Sequence, residues 1–351
     1  MDKTEGRQII SFRIRKIIEE TPDTKSFELE PTEDAKFDYA PGQFLTFLFN
    51  KMNGDEERRN YSLSSVPLLD DFAKITIKRI PNGEYSRQLI DRAGEGDLLK
   101  SIGASGFFVL PEMMGSYQQF VFFAAGSGIS PIFALIREIL FGHQLQKIVL
   151  IYSNRSLEYA IFYDQLKKLQ SQFPKRLHIE FLFSDATHIH HKRLGIYVLE
   201  KFIKDHMQLP HEQQLFYLCG PFEYMRMITI ILRNNGIPAA NIRKELFTIE
   251  KIKPKEEPAD KEPHLINAIL NGKRYSFTSQ YPQTILQTAK SLNIPMPYSC
   301  EAGQCGTCAA TCVSGKVWMW RNDVLLDEEI AKGRVLTCTG YAVGGDVNIN
   351  Y

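Results

Sequence analysis

The nine residues CEAGQCGTC, 300 to 308, put Cys300, Cys305 and Cys308 into one turn-rich loop with C-x4-C-x2-C spacing. A loop this dense in thiols rarely arises for packing alone. The chain around it must bend so that the sulfurs meet a metal, a disulfide partner or a redox centre. A fourth cysteine, Cys338, stands in GRVLTCTG, with 29 residues between it and Cys308. Glycines at 303 and 306 allow the loop to wrap a bound group and aim backbone N–H groups at its sulfurs.

The rest of the chain narrows that choice. Six cysteines in 351 residues are too few for a disulfide scaffold. The opening MDKTEGRQIISFRIRKIIEE alternates charged and apolar residues and lacks the apolar run and cleavage site of a signal peptide. Reduced thiols and a cytoplasmic location are therefore expected. No segment approaches about 18 consecutive apolar residues, so no membrane span is expected. A net charge of +1 gives no bulk attraction to nucleic acid, though it leaves room for a local protein-docking patch. Structural zinc usually draws its cysteines from two short-spaced pairs, whereas three crowd one loop here. The spacing is that of a plant-type [2Fe–2S] ferredoxin, whose soft thiolates suit iron–sulfur binding, with Cys300, Cys305, Cys308 and Cys338 as ligands. Cys312, in AATCVSG, falls outside the spacing and reads as buried packing.

KIKPKEEPADKEP, residues 251–263, has Ile252 as its only large apolar residue and reads as an exposed linker. It leaves a C-terminal piece, 264–351, with strand-like HLINAIL and KRYSFTS around an Asn271-Gly272 turn and a helical TILQTAKSLNI. Residues 1–114 carry short runs such as IISFRIRKI, FLTFLF and KITIKRI punctuated by Pro, Gly, Asp and Asn, which predicts an antiparallel β-barrel. From 115 to 250, strand-like QFVFFAA, KIVLIYSN, LHIEFLF and QLFYLC alternate with helical segments, which predicts an α/β domain with a parallel sheet. THIHH, 187–191, sits in a polar connection and reads as solvated histidines rather than a metal site.

Gly126-Ser127-Gly128-Ile129-Ser130-Pro131 follows QFVFFAA and opens a helix. Such a turn lets a pyrophosphate approach the backbone and the helix N-terminus, although a tight βα turn without ligand has the same appearance. Pro131 replaces a third glycine and suits the first helical turn. Asn154-Arg155 ends the second strand of this domain. With no acidic residue before Glu158, Arg155 tilts the reading toward the 2′-phosphate of NADPH, though it also suits a solvated strand-end charge. Cys219-Gly220-Pro221 ends another strand at the edge where ligands bind, where Cys219 also suits buried filler.

The order Arg59-Asn60-Tyr61-Ser62, then Gly83-Glu84-Tyr85-Ser86, then the Gly126–Pro131 turn, then Cys219-Gly220-Pro221, resembles the ferredoxin–NADP reductase superfamily. The resemblance implies an FAD-binding barrel in front of an NAD(P) domain. It implies that Arg59 neutralises a flavin phosphate, that Tyr61 lies on the flavin face and that Ser62 hydrogen-bonds beside its reactive nitrogen. It further implies FAD contacts from Ile77 and Lys78 and a diphosphate seat from Gly83 through Tyr85 to Ser86. Cys219 would lie near the nicotinamide, making Ser62 and Cys219 the catalytic pair. Phe247, in Glu245-Leu246-Phe247, would cover the other flavin face, although here the chain runs on into the linker. With a β-grasp-like ferredoxin domain at the C-terminus, the layout resembles the reductase components of multicomponent oxygenases, the phenylacetyl-CoA epoxidase type among them. The implied activity is NAD(P)H-driven electron transfer through FAD and a [2Fe–2S] cluster to an oxygenase, hydroxylase or desaturase. Flavin takes a hydride and releases electrons singly, which joins the nicotinamide to a one-electron cluster. A stand-alone oxidoreductase for small acceptors and a non-catalytic redox-sensing protein are the competing readings.

Overall fold

The computed structural model describes residues 9–32, 37–51, 54–142, 145–186, 193–248, 254 and 256–351. The histidine run 187–191 and linker residues 251–253 and 255 lie outside them. The chain forms two compact units, a larger one over residues 10–104 and 108–248 and a smaller C-terminal one.

The larger unit begins with six strands: β1 (Ile10–Thr21), β2 (Thr24–Pro31), β3 (Phe44–Asn50), β4 (Glu56–Ser62), β5 (Ala73–Lys78) and β6 (Leu98–Ser105). Helix α1 (Glu84–Arg92) links the last two. The strands run in the order β4-β3-β6-β1-β2-β5. Just past β4 the chain bridges across to β5, Leu63 opposite Ile75, so the sheet curls into the expected barrel. The period-2 pattern supplies its core: Phe12, Ile14, Phe27, Leu29, Leu45 and Phe47 are buried on the inner face.

A five-stranded parallel sheet follows, β7 (Gln119–Ala125), β8 (Lys147–Asn154), β9 (Leu177–Phe183), β10 (Gln214–Cys219) and β11 (Ile242–Glu245), in the order β11-β10-β7-β8-β9. Helices α2 (Ile129–Gly142), α3 (Tyr163–Gln172), α4 (Ile196–His206) and α5 (Phe222–Asn234) cover it. Its central strands are apolar throughout because both faces are buried, one in each of two cores. The strand order reverses between β7 and β10, and in such sheets the crevice beyond those strand ends is where ligands bind. Barrel and sheet are tied together inside this unit. Arg137 on α2 grips Asp70 of the barrel with two hydrogen bonds, 2.7 and 3.0 Å, and Asp70 also accepts from the Val66 amide.

The C-terminal unit has β12 (His264–Leu270), β13 (Lys273–Ser279), α6 (Ile285–Ser291), β14 (Ala309–Ser314), β15 (Val317–Met319), α7 (Asp327–Ala331), β16 (Arg334–Leu336), β17 (Gly340–Ala342) and β18 (Val347–Asn350). Its main sheet is mixed, ordered β13-β12-β18-β14-β16, with β15 and β17 forming a separate ribbon. The Asn271-Gly272 turn has positive φ at both residues, the conformation a two-residue hairpin requires. Thr284 caps α6 through a reciprocal pair with Gln287. Cys312 is half-buried at the core margin, where its thiol contacts the Ser314 carbonyl, rather than fully buried. The end of the linker is also more ordered than its composition suggests. The Asp260 carboxylate accepts from the amides of Gly344 (2.6 Å) and Glu262 (2.9 Å) and meets His264 Nε2 at 2.8 Å.

Candidate redox site

Arg59, Tyr61 and Ser62 occupy the C-terminal half of β4. Arg59 lies over the Tyr85 ring at 5.0 Å and pairs with Glu57, which Lys51 also contacts at 2.5 Å. These two cations hold the Glu57 carboxyl below its ordinary range. Tyr85 and Ser86 stand in the first turn of α1, whose N-cap Gly83 provides no side-chain cap. A Cβ at Gly83 would lie 2.5 Å from Ser86 Oγ. The Tyr85 hydroxyl is buried without a partner. An always-charged guanidinium, an orphaned phenol and uncapped helix amides in one place fit a flavin diphosphate. Tyr61 packs against Phe47, and burial raises its phenol pKa. Ile77 is buried in the barrel core, which leaves only its backbone for a ligand. Lys78 is engaged by Asp23 at 3.5 Å.

The Gly126–Gly128 turn leads from β7 straight into α2. Here glycine is required by packing: a Cβ on Gly128 would stand 2.2 Å from the Cys219 carbonyl oxygen. Pro131 falls in the first turn of α2, beside Ile129 and Ser130. Ser130 Oγ is buried and unpartnered, a polar atom left for a ligand at the helix N-terminus. Gly220 packs so closely on Ala125 that a Cβ would meet it at 2.9 Å, and Pro221 caps α5. Asn154 ends β8, and the Arg155 guanidinium stacks on Tyr159 at 3.9 Å.

The two halves converge on Glu245, a residue that none of the sequence motifs singles out. In the β10–β11 register Glu245 stands opposite Cys219. Its carboxyl accepts from Ser62 Oγ of the barrel, 3.3 Å to each oxygen. Burial pushes the Glu245 pKa up to about 8, with the Ser62 hydrogen bond opposing, so at neutral pH it is largely a protonated acid. Burial also drives the Cys219 thiol well up, and the nearby carboxyl adds to the shift. A hydroxyl, a thiol and a protonated carboxyl thus form one proton-holding cluster between β4 and the sheet edge. The Glu245-Leu246-Phe247 triplet draws the eye to its aromatic, yet Phe247 is 45% exposed and the carboxyl two positions earlier reaches Ser62. The available signal was an acidic residue ending a strand at the ligand-binding edge.

All the cysteines except Cys219 lie in the C-terminal unit, and every cysteine of the chain is a free thiol. The four candidate ligands fall into two neighbouring pairs, Cys300 beside Cys305 and Cys308 beside Cys338. Two pairs match a centre with two irons, each needing two thiolates. The adjacent Cys305 thiol, followed by the backbone amides of Ala302, Gln304 and Cys305, lowers the Cys300 pKa against the opposing effect of burial, and the Ala302 amide donates to its sulfur at 3.4 Å. Glu301, Gly303 and Gly306 take positive φ to turn those amides inward, and a Cβ on Gly303 would lie 2.8 Å from the Arg321 carbonyl.

Three family descriptions match in succession: an oxidoreductase FAD-binding domain over residues 11–109, an oxidoreductase NAD-binding domain over 122–229 and a 2Fe-2S iron-sulfur cluster binding domain over 268–343. The ferredoxin reductase component of 3-ketosteroid-9-alpha-monooxygenase from Rhodococcus rhodochrous is 30% identical over 356 residues, covering 99% of this chain and 98% of that protein. The chain belongs to the oxygenase-reductase branch of the ferredoxin–NADP reductase superfamily. This oxygenase-reductase-type chain is also 28% identical to a subunit of 1,2-phenylacetyl-CoA epoxidase from Escherichia coli K12, with 97% of each chain covered. Phthalate dioxygenase reductase, described as a modular structure for electron transfer from pyridine nucleotides to [2Fe–2S], shares the fold with a TM-score of 0.60, 24% identity and 98% of each chain covered. The chain is accordingly an NAD(P)H-dependent oxidoreductase that uses FAD and a [2Fe–2S] cluster. Among the described residues no helix is long and apolar enough to cross a membrane.

Proposed function

We propose that the chain draws electrons from NADPH through FAD and the C-terminal [2Fe–2S] cluster and delivers them singly to a terminal oxygenase component, of the ketosteroid-hydroxylating or phenylacetyl-CoA-epoxidising kind. The observation that carries this reading is the Ser62–Glu245–Cys219 cluster, where the end of the flavin barrel meets the nucleotide edge of the parallel sheet. A flavin held there would supply the chemistry that converts a hydride from the nicotinamide into single electrons. Arg59, Tyr85, Ser86 and the first turn of α1 hold its phosphates, and Tyr61 lies along its ring. Ser62 and the protonated Glu245 supply a hydrogen-bond donor and a proton store beside the reacting edge. The turn from Gly126 to Pro131, with Gly220 and Pro221, holds the nicotinamide nucleotide, and Cys300, Cys305, Cys308 and Cys338 hold the irons. We divide the chain into flavin barrel 1–114, nucleotide domain 115–250, linker 251–263 and ferredoxin domain 264–351. The linker keeps the cluster domain at high effective concentration for both donor and acceptor. Free thiols suit a reducing compartment, and we place the protein in the cytoplasm.

Anaerobic titration tests the reading. NADPH should bleach the flavin band and then raise the reduced-cluster EPR signal, and a purified protein without flavin would refute it. The NADPH preference rests on Arg155, stacked on Tyr159 with no carboxylate between Tyr152 and Arg155 to hold a 2′-hydroxyl. Arg155→Leu should lower kcat/KM for NADPH by about 10- to 100-fold while leaving NADH within about threefold. An equal loss with both nucleotides would show that Arg155 does not read the 2′ position.

A further inference from the structure

Beside its thiol set the C-terminal unit carries a recess of about 490 Å³, lined by Tyr281, Pro282, Trp320 and Tyr341 with Pro254, Thr284 and Gln287 and the buried Cys338 and Ala302. Its walls follow from local pairing. On the β15–β17 ribbon Trp318 stands opposite Tyr341, their rings 6.0 Å apart, and the Tyr281 ring lies 5.7 Å from Tyr341. Such ring pairs hold a two-stranded ribbon that would be marginal alone. They do not account for Trp320, which is half-buried, lies just past the ribbon and lines the recess. Both tryptophans of the chain are thus within three residues of each other at the edge of the cluster site.

The charges around the recess are already satisfied inside the chain. Glu301, on the lining, pairs with Lys290 at 2.8 Å. Lys261, 5.0 Å from the Tyr281 ring, pairs with Glu257 at 2.6 Å. Arg321, next to Trp320, pairs with Asp323 at 2.7 Å. Residues 264–351 carry seven Lys and Arg against six Asp and Glu, with no excess of either sign. With each nearby charge already paired and neither sign in excess, the recess offers a charged partner no complementary field, whereas its rings offer contact area to an uncharged ring or branched aliphatic side chain. A proposed cluster ligand, Cys338, belongs to the lining, so a side chain seated in the recess brings its own protein beside the cluster site, which serves an electron acceptor.

We propose that this recess is the docking site of the electron-accepting protein, which inserts an uncharged aromatic or branched aliphatic side chain between Tyr281 and Trp320, next to Cys338. The proposal rests on the reading of the chain as an electron donor to an oxygenase component. The test uses the full-length holoprotein with NADPH and two purified acceptors, the oxygenase components of 3-ketosteroid-9-alpha-monooxygenase and of 1,2-phenylacetyl-CoA epoxidase. Trp320→Ala should raise KM for an acceptor protein by at least about tenfold, and Tyr281→Ala by several-fold. Ferricyanide reduction and the cluster spectrum should stay at wild-type levels, and 0.5 M salt should change KM by less than about twofold. If Trp320→Ala disturbs the cluster spectrum, Tyr281→Ala carries the test alone. A wild-type KM in the spectrally intact variants, or a KM governed by salt, overturns the recess while leaving the electron-donor reading in place. A dimer in light scattering that Trp320→Ala dissociates gives the recess to a second copy and likewise overturns the proposal. A wild-type protein that reduces ferricyanide but neither acceptor refutes the electron-donor reading itself.

Discussion

The thiol loop and the Ser62–Glu245–Cys219 cluster are two candidate sites assembled in opposite ways. Three of the four sulfurs come from nine consecutive residues, aimed by positive-φ turns at Glu301, Gly303 and Gly306. The second site joins Ser62 to a carboxyl 183 positions away, and the two meet only because the barrel packs against the end of a parallel sheet. The loop depends on side-chain identity and local backbone, so damage to it should be chemical and complete. The cluster depends on burial and approach, so damage to it should be graded and should depend on pH.

The largest effect should come from Cys308→Ser. Removing one thiolate of the Cys308–Cys338 pair should abolish the cluster's visible absorbance and EPR signal. Protein-acceptor reduction should fall at least about 100-fold, with flavin content unchanged. A variant that keeps its cluster signal would show that the four-thiol assignment is wrong. Next, Gly128→Ala places a methyl group 2.2 Å from the Cys219 carbonyl oxygen, against the rigid Cys219–Gly220 peptide. Overpacking of this kind costs about 1–3 kcal/mol, and NAD(P)H-driven flavin reduction should weaken about tenfold or more while the cluster spectrum stays intact. Equal thermal stability and nucleotide KM would place the turn away from the nucleotide.

Glu245→Gln should act through pH. The folded carboxyl titrates at about 8 against an ordinary 4.5, so between those values the folded protein holds a proton that the unfolded chain has released. Its contribution to stability is therefore complete below about pH 4.5 and is lost as pH rises through 8. Relative to the glutamine variant, the wild type should lose up to ~1.4 kcal/mol per pH unit across that window. Urea midpoints at pH 5, 7 and 9 measure this, and parallel profiles would mean that Glu245 is ionised when folded. The smallest effect belongs to Asp260, whose pKa is held down to about 2, chiefly by the Gly344 amide. Its contribution is present above about pH 3.8 and fades as pH falls through 2. Asp260→Asn should speed hydrogen exchange at the Gly344 amide and leave cluster and flavin spectra unchanged.

Several features were legible because they are local. The Asn271-Gly272 hairpin, the helix start at the Gly126–Pro131 turn and the cysteine spacing each rest on a few adjacent residues whose backbone demands are specific. The barrel and the parallel sheet follow from period-2 and strand–helix patterns. Glu245 was not legible in this way. In the string IRKE it looks like one more polar residue at a strand end, and only the β10–β11 register and the nearby barrel turn it into a buried acid. Arg59 and Lys78 look equally available in the sequence. In the fold each is held by a carboxylate, Arg59 by Glu57 and Lys78 by Asp23, and what separates them is that Arg59 also stands over Tyr85 at the start of α1. The linker shows the reverse case. Its composition reads as disordered, yet Asp260 anchors its far end, because one carboxylate can satisfy two amides and a histidine wherever the chain brings them.

By itself the sequence determined the succession of barrel, parallel sheet and thiol-bearing domain, and which four sulfurs are spaced for two irons. Those properties are written in side-chain period and short-range spacing. Tertiary structure alone decided that Cys338 joins the thiol loop, that Ser62 meets a buried carboxyl standing opposite Cys219, and that an aromatic recess lies beside Cys338. Each of these depends on groups distant in the chain losing water together, and the free energy of that desolvation exists only once the chain has folded.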